Sequence, residues 1–84
     1  MAVSPGDIVF STAGRDKDAY YVVMAVEEGY AYICNGKGRK TDKPKKKKIK
    51  HLKTGIGHSD HIAGKLLAGE KVSNAALRRE LEQF

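Results

Sequence analysis

Apolar residues in the first part of the chain fall in short continuous runs, not at helical intervals. Ile8, Val9 and Phe10 form one run, and the turn pair Pro5-Gly6 ahead of it cannot continue a helix, so 7–11 is predicted as a first strand. Gly14 and the charged residues Arg15, Asp16, Lys17 and Asp18 then predict a loop. Tyr20 to Val26 is aromatic and β-branched enough to be a buried strand. Glu27-Glu28-Gly29 turns the chain into Tyr30-Ala31-Tyr32-Ile33-Cys34, the third strand. Asn35-Gly36 suits a type I′ hairpin turn, in which both central residues take positive φ, and this puts a fourth strand at 38–41. Asp42-Lys43-Pro44 breaks that strand, and Lys45 to Lys48 offers nothing to a core. The alternation in Ile49-Lys50-His51-Leu52-Lys53 predicts a half-exposed fifth strand, followed by a loop at 54–57. Five short antiparallel strands within about fifty residues make the chain mainly β, a small closed or nearly closed barrel that leaves no open edge.

The periodicity then changes. Ile62, Leu66 and Leu67 sit at helical spacings with Gly69 as a stop, although Gly64 weakens that helix by up to about 1 kcal/mol relative to alanine. Ser73 can cap a second helix, Val72 and Leu77 occupy staple positions, and Leu77, Leu81 and Phe84 recur along one face. Neither helix is long enough to stand alone in water. The chain therefore divides into a barrel at 1–55 and a helical tail at 56–84, packed on the barrel or on a partner. Burial of Leu77, Leu81 and Phe84 would make the tail structural, and their exposure would make it a docking surface.

With 84 residues, 40% of them hydrophobic, the chain suits one small domain and has little room for a walled-off catalytic cavity. Charge adds a direction. The formal net charge is +6, and it is concentrated. Residues 1–34 carry a net −3, residues 56–84 are neutral, and residues 35–55 hold ten basic residues against the single Asp42. Successive lysines repel one another, so Lys45 to Lys48 is expected to be a mobile, solvated loop whose replacement would leave the fold intact. Continuous with Lys37, Arg39, Lys40, Lys43, Lys50 and Lys53, the run points to a polyanion such as nucleic acid, held mainly through its backbone phosphates. An anionic membrane would attract the same cluster, but the run lacks an apolar element to insert.

Other chemistry is thinly represented. Cys34 is the only cysteine, so no internal disulfide forms. The first residues show no basic leader with an apolar run, and the longest apolar stretch, Ala19 to Val26, is well short of the ~20 residues that span a bilayer, which together suggest the cytoplasm. His58 and His61 invite a metal hypothesis with His51 and Cys34, but without a second cysteine they suit ordinary polar positions better. Gly36-Lys37-Gly38-Arg39-Lys40-Thr41 echoes a phosphate-binding loop without its spacing. Ser11, Thr12 and Cys34 have no histidine nearby in sequence, so no nucleophilic set is evident, and neither an enzyme nor a cofactor is expected.

Gly6-Asp7-Ile8-Val9-Phe10-Ser11, continued by Ala13-Gly14-Arg15-Asp16-Lys17 and the Tyr20 to Val26 run, resembles a KOW motif. With Gly36 to Lys40, the lysine run and Ile49-Lys50-His51-Leu52, the chain is similar over residues 5–53 to small KOW-domain RNA-binding proteins related to the large-subunit ribosomal proteins fourteen-e and twenty-seven-e. The 73–81 segment resembles the tail of stand-alone bacterial members. The resemblance implies an SH3-like five-stranded barrel that binds ribosomal RNA with its loops. Asp18 departs from the pattern, standing where the first KOW loop usually has glycine. Aspartate tolerates a left-handed backbone better than most residues, but its carboxylate repels an approaching phosphate.

Charge and resemblance together lead to the expectation of a non-enzymatic RNA-binding protein, monomeric when free, that associates with the ribosome through large-subunit ribosomal RNA. Its RNA-facing residues would be Arg15, Lys17, Lys37, Arg39, Lys40, Lys43, Lys45, Lys46, Lys47, Lys48, Lys50 and Lys53. The alternative is a protein-interaction module that docks a transcription or translation factor through the barrel or the tail.

Overall fold

A strand that is apolar at consecutive positions needs burial on both faces, because successive side chains point to opposite sides of a sheet. Ile8-Val9, Val22-Val23 and Ile33-Cys34 are three such pairs, and each divides between two separate cores: Ile8, Val22 and Cys34 enter one, Val9, Val23 and Ile33 the other. In the computed structural model, which describes residues 3–84, these pairs lie on three adjacent strands, β1 (Asp7–Ser11), β2 (Ala19–Glu27) and β3 (Tyr30–Cys34). The chain continues through β4 (Lys45–Lys48), a 3-10 turn (Ile49–His51), β5 (Leu52–His58), α1 (Asp60–Leu67) and α2 (Asn74–Leu81). The pairing order β4-β3-β2-β1-β5 is antiparallel throughout.

The helices cover the first core. Ile62 of α1, Leu77 of α2 and Val72 between them are buried against Ile8, Val22 and Cys34, with Leu66 and Leu81 packed alongside. Each fully buried aliphatic side chain contributes about 1.5–3 kcal/mol. The second core, Val9, Tyr21, Val23, Ala31, Ile33 and Leu52, contains no helical residue, so the sheet shields it by curling over it, helped by Ile49 of the 3-10 turn. Two irregularities assist the bend. Met24 is skipped between the Val23–Ile33 and Ala25–Tyr32 pairs, and β5 makes a larger bulge opposite Val9, where Gly55 adopts φ +72°. The two end strands β4 and β5 do not pair with each other among the described residues.

Caps set the helix ends. Ser59 accepts from the Ile62 amide at 3.1 Å to start α1 and donates its hydroxyl to Glu80, tying α1 to α2. Ser73 accepts from the Ala76 amide at 3.0 Å, and the Val72 and Leu77 staple is buried, as the sequence suggests. Leu67 is 92% exposed. It follows Ile62 by five positions, which turns it about 140° off the buried face, whereas Leu66 lies within about 40° of it. Phe84, 43% exposed, leans on Tyr20 with ring centroids 5.5 Å apart.

Several sequence expectations are corrected. Residues 38–41 form no strand, and Asn35-Gly36 is not a type I′ turn, since Gly36 has φ +77° but Asn35 does not share a positive φ. Instead 35–44 is a long loop and Lys45–Lys48, expected to be mobile and solvated, is the strand that covers the edge of β3. Alternation explains why four lysines tolerate this. Lys45 and Lys47 pair with Ile33 and Ala31 toward the second core, Lys46 and Lys48 with Tyr32 and Tyr30 on the opposite face, so like charges separate onto two sides. Lysine at a sheet edge also discourages further strand addition. The fifth strand begins at Leu52, not Ile49, and runs through the 54–57 stretch read as a loop, so the division after residue 55 falls inside β5.

Candidate functional site

Three basic segments converge because two acceptors in the first loop capture residues from elsewhere. Asp18 stands at the end of that loop with φ +64°, in the left-handed conformation expected of it, and its amide bonds the Ser11 carbonyl at 2.7 Å. The turn places Asp16 against Arg39 of the 35–44 loop, with Nε 3.0 Å from Oδ1 and Nη2 3.3 Å from Oδ2. Burial pushes the Asp16 carboxyl up, but the Arg39 hydrogen bond and the charges of Arg39, Lys47 and Lys45 outweigh it and hold the group below its ordinary range. Lys47 of β4 donates from Nζ to the Ala13 carbonyl at 2.6 Å. The first loop, the 35–44 loop and β4 are thereby cross-linked at one end of the sheet.

The 35–44 loop is fixed from both sides. Its own Asn35 carboxamide accepts from the Lys37 and Arg39 amides at 2.9 and 3.0 Å. From α2, the Asn74 Oδ1 accepts from the Thr41 amide at 2.9 Å and Arg78 Nη1 donates to the Gly36 carbonyl at 2.6 Å. Gly36 is obligatory here: besides its φ of +77°, a Cβ would lie 2.3 Å from the Asn74 carbonyl oxygen. The Cys34 thiol donates to the Lys40 carbonyl at 3.3 Å, and its burial, with Asp42 nearby, pushes its pKa up to about 11.

This frame sorts the predicted basic residues. Arg15, Lys17, Lys37, Lys40 and Lys43 are exposed on the two cross-linked loops. Arg39 and Lys47 are framework: the first spends its guanidinium on Asp16 and the second is 9% exposed. Lys45 is half-buried, turned toward the second core. Lys46 and Lys48 project from the other face of β4, away from the loop cluster, while Lys50 lies in the 3-10 turn and Lys53 on β5, the strand at the far end of the pairing order.

The face that carries Lys46 is a distinct surface. Lys46 Nζ stands 4.7 Å from the Tyr30 ring centroid and 5.9 Å from that of Tyr32, and it pairs with Glu27 Oε2 at 3.2 Å. Hydrogen bonds from Tyr32 and Lys46 hold the Glu27 carboxyl below its usual range. Of the other tyrosines, Tyr21 is buried in the second core and Tyr20 packs between Phe10 and Phe84.

The acidic partners Asp16 and Glu27 and the braces Asn74 and Arg78 were not singled out from sequence. Asn74 and Arg78 are four residues apart behind a Ser73 cap, so their shared helix face was legible, but not what it meets. The histidines are brought into no ligand set. His58 Nδ1 lies 2.6 Å from Asp7 and its Nε2 3.5 Å from Asp60, His61 is exposed, and no metal-binding cluster occurs among the described residues. No helix among them is long and apolar enough to cross a membrane. Compared with family models and with curated proteins, the chain matches none.

Proposed function

We propose that this protein binds RNA without catalysing a reaction, as a ribosome-associated protein of the cytoplasm that contacts large-subunit ribosomal RNA. The observation that carries this is the pair of cross-linked loops, which hold Arg15, Lys17, Lys37, Lys40 and Lys43 exposed at one end of the sheet while Arg39 and Lys47 fix the frame beneath them. Ordering the backbone in advance lowers the entropy lost on binding, and exposed lysines on a fixed frame match phosphates by position rather than by base identity. The sheet curled over Val9, Tyr21, Val23, Ala31, Ile33 and Leu52 is consistent with an SH3-like KOW barrel, the fold that the sequence resemblance implies.

The direct test is sedimentation of the protein at native level from cell lysate through a sucrose gradient, before and after a high-salt wash. Co-sedimentation with the large subunit that survives the wash is the expected result. Protein at the top of the gradient at every salt concentration would end the ribosomal reading.

One observation favours a second reading, a protein-docking module. Met24, Ala25, Val26, Ala63, Leu66 and Leu67 line an apolar hollow of about 510 Å³ between β2 and α1, with Leu67 and Val26 exposed. The tail argues the other way, because Leu77 is fully buried and Leu81 packs on the same core. Capture of a protein factor that Leu67→Glu abolishes, with RNA binding unchanged, would support the second reading.

A further inference from the structure

We propose that Tyr30 is the stacking platform for one unpaired RNA base, with Lys48 and Lys50 holding the phosphates that flank it. The inference rests on the RNA-binding reading and adds a second contact surface to it, separate from the loop cluster. Tyr30 belongs to neither core. It is half-buried at the start of β3, and it lines an open hollow of about 410 Å³ together with Gly29, Lys48, Ile49 and Lys50. That volume is at the lower end of the range for small-ligand sites, about 300–1,000 Å³, which suits one nucleotide and not a folded helix.

Gly29 makes the turn into β3 with φ +77°, and nothing lies within 4 Å of where its Cβ would stand, so this side of the hollow is open. Lys46 Nζ holds the Tyr30 ring at 4.7 Å from its centroid and is not among the residues that line the hollow. Lys48, paired with Tyr30 across the β3–β4 ladder, and Lys50 in the following turn put two exposed ammonium groups beside the ring. An aromatic face flanked by cations is the arrangement that holds single-stranded nucleic acid, because every base has a π face and every linkage a phosphate. The competing tyrosine is less suited. Tyr20 lines a hollow with Lys37 and Arg78, but its ring is engaged by Phe10 and Phe84, and Glu82 adds a carboxylate that repels phosphate.

The test compares a fluorescein-labelled polyuridine oligonucleotide with the same strand annealed to its complement, by anisotropy, for wild type, Tyr30→Ala and Tyr30→Phe. Losing one stacked base weakens single-strand binding roughly 5- to 150-fold. Tyr30→Ala should show that loss on the single strand alone, and Tyr30→Phe should bind as wild type does. An equal loss on both RNAs, or no loss on either, overturns the stacking site while leaving the RNA-binding reading in place. Wild-type protein that binds neither RNA overturns both. Because Tyr30→Ala can disturb β3, photocrosslinking of iodouridine RNA to the wild-type protein gives an independent readout. Adducts should map to Tyr30, and adducts confined to other residues would overturn the site.

Discussion

Lys47 reaches from the middle of a strand of four lysines to the main-chain carbonyl of Ala13, at 2.6 Å, and so turns a charge run into part of the framework. The bond is a charge-assisted one at a nearly buried site, and its removal costs about 1.5–3 kcal/mol. Lys47→Met, which keeps the apolar stem, should lower the melting temperature by roughly 8–16 °C for a chain of this size. Lys47→Glu should do worse, because it sets a carboxylate against a carbonyl oxygen. Lys46→Glu and Lys48→Glu, whose side chains are exposed, should stay folded. Thermal melts followed by circular dichroism separate these cases, and equal melting temperatures across the set would show that Lys47 is no anchor.

What the sequence could reveal followed from where burial is two-sided. β1, β2 and β3 were legible to within a residue, because their apolar pairs leave strand as the economical choice. β4 was not, because its pairing is decided by the open edge of β3 and by the Ala13 carbonyl, neither of which is visible in Lys45 to Lys48. The staple and cap of α2 were local signals and survived; the meeting of Asn74 and Arg78 with loop residues 33 and 42 positions earlier was not local. Likewise the basic residues were legible as a group, but their separation into exposed contacts and framework members needs Asp16 and Ala13 in place.

Asp16 gives the fold a dependence on acid. Its carboxyl titrates below its ordinary value of 3.8, so the unfolded chain binds the proton more readily than the folded one. The stabilisation is therefore complete above the unfolded value and is lost as pH falls through the folded one. Asp16→Asn should be less stable than wild type at neutral pH, and the gap should narrow as the pH is lowered past about 4. Urea titrations at stepped pH read this directly. A gap that stays constant into acid would mean that the Arg39 pair contributes nothing.

Asn74 has no charge, which makes it the cleaner probe of how α2 serves the 35–44 loop. Its Oδ1 is the acceptor for the Thr41 amide, and Asn74→Ala removes that acceptor at a cost of about 1 kcal/mol. Amide exchange at Thr41 and through the loop should accelerate, with β1 to β3 unchanged, and RNA affinity should fall although no phosphate contact has been lost. Faster exchange with unaltered affinity would show that the loop binds without needing to be held.

The loop cluster predicts a particular response to salt. On duplex RNA, which offers Tyr30 no unpaired base, if Arg15, Lys17, Lys37, Lys40 and Lys43 each neutralise one phosphate, log affinity should fall against log salt with a slope of roughly −3.5 to −4.5. Replacing Lys40 and Lys43 together by glutamine should reduce that slope by about 1.4–1.8, and at low salt the affinity should fall with it. Lys46→Gln is the control, because Lys46 spends its charge on Glu27 at 3.2 Å, on the face away from the loops. Anisotropy titrations over a range of salt concentrations measure all three slopes. If Lys46→Gln changed the slope as much as the loop variant does, the phosphates would lie over β4, and the exposed loops would lose their assigned role.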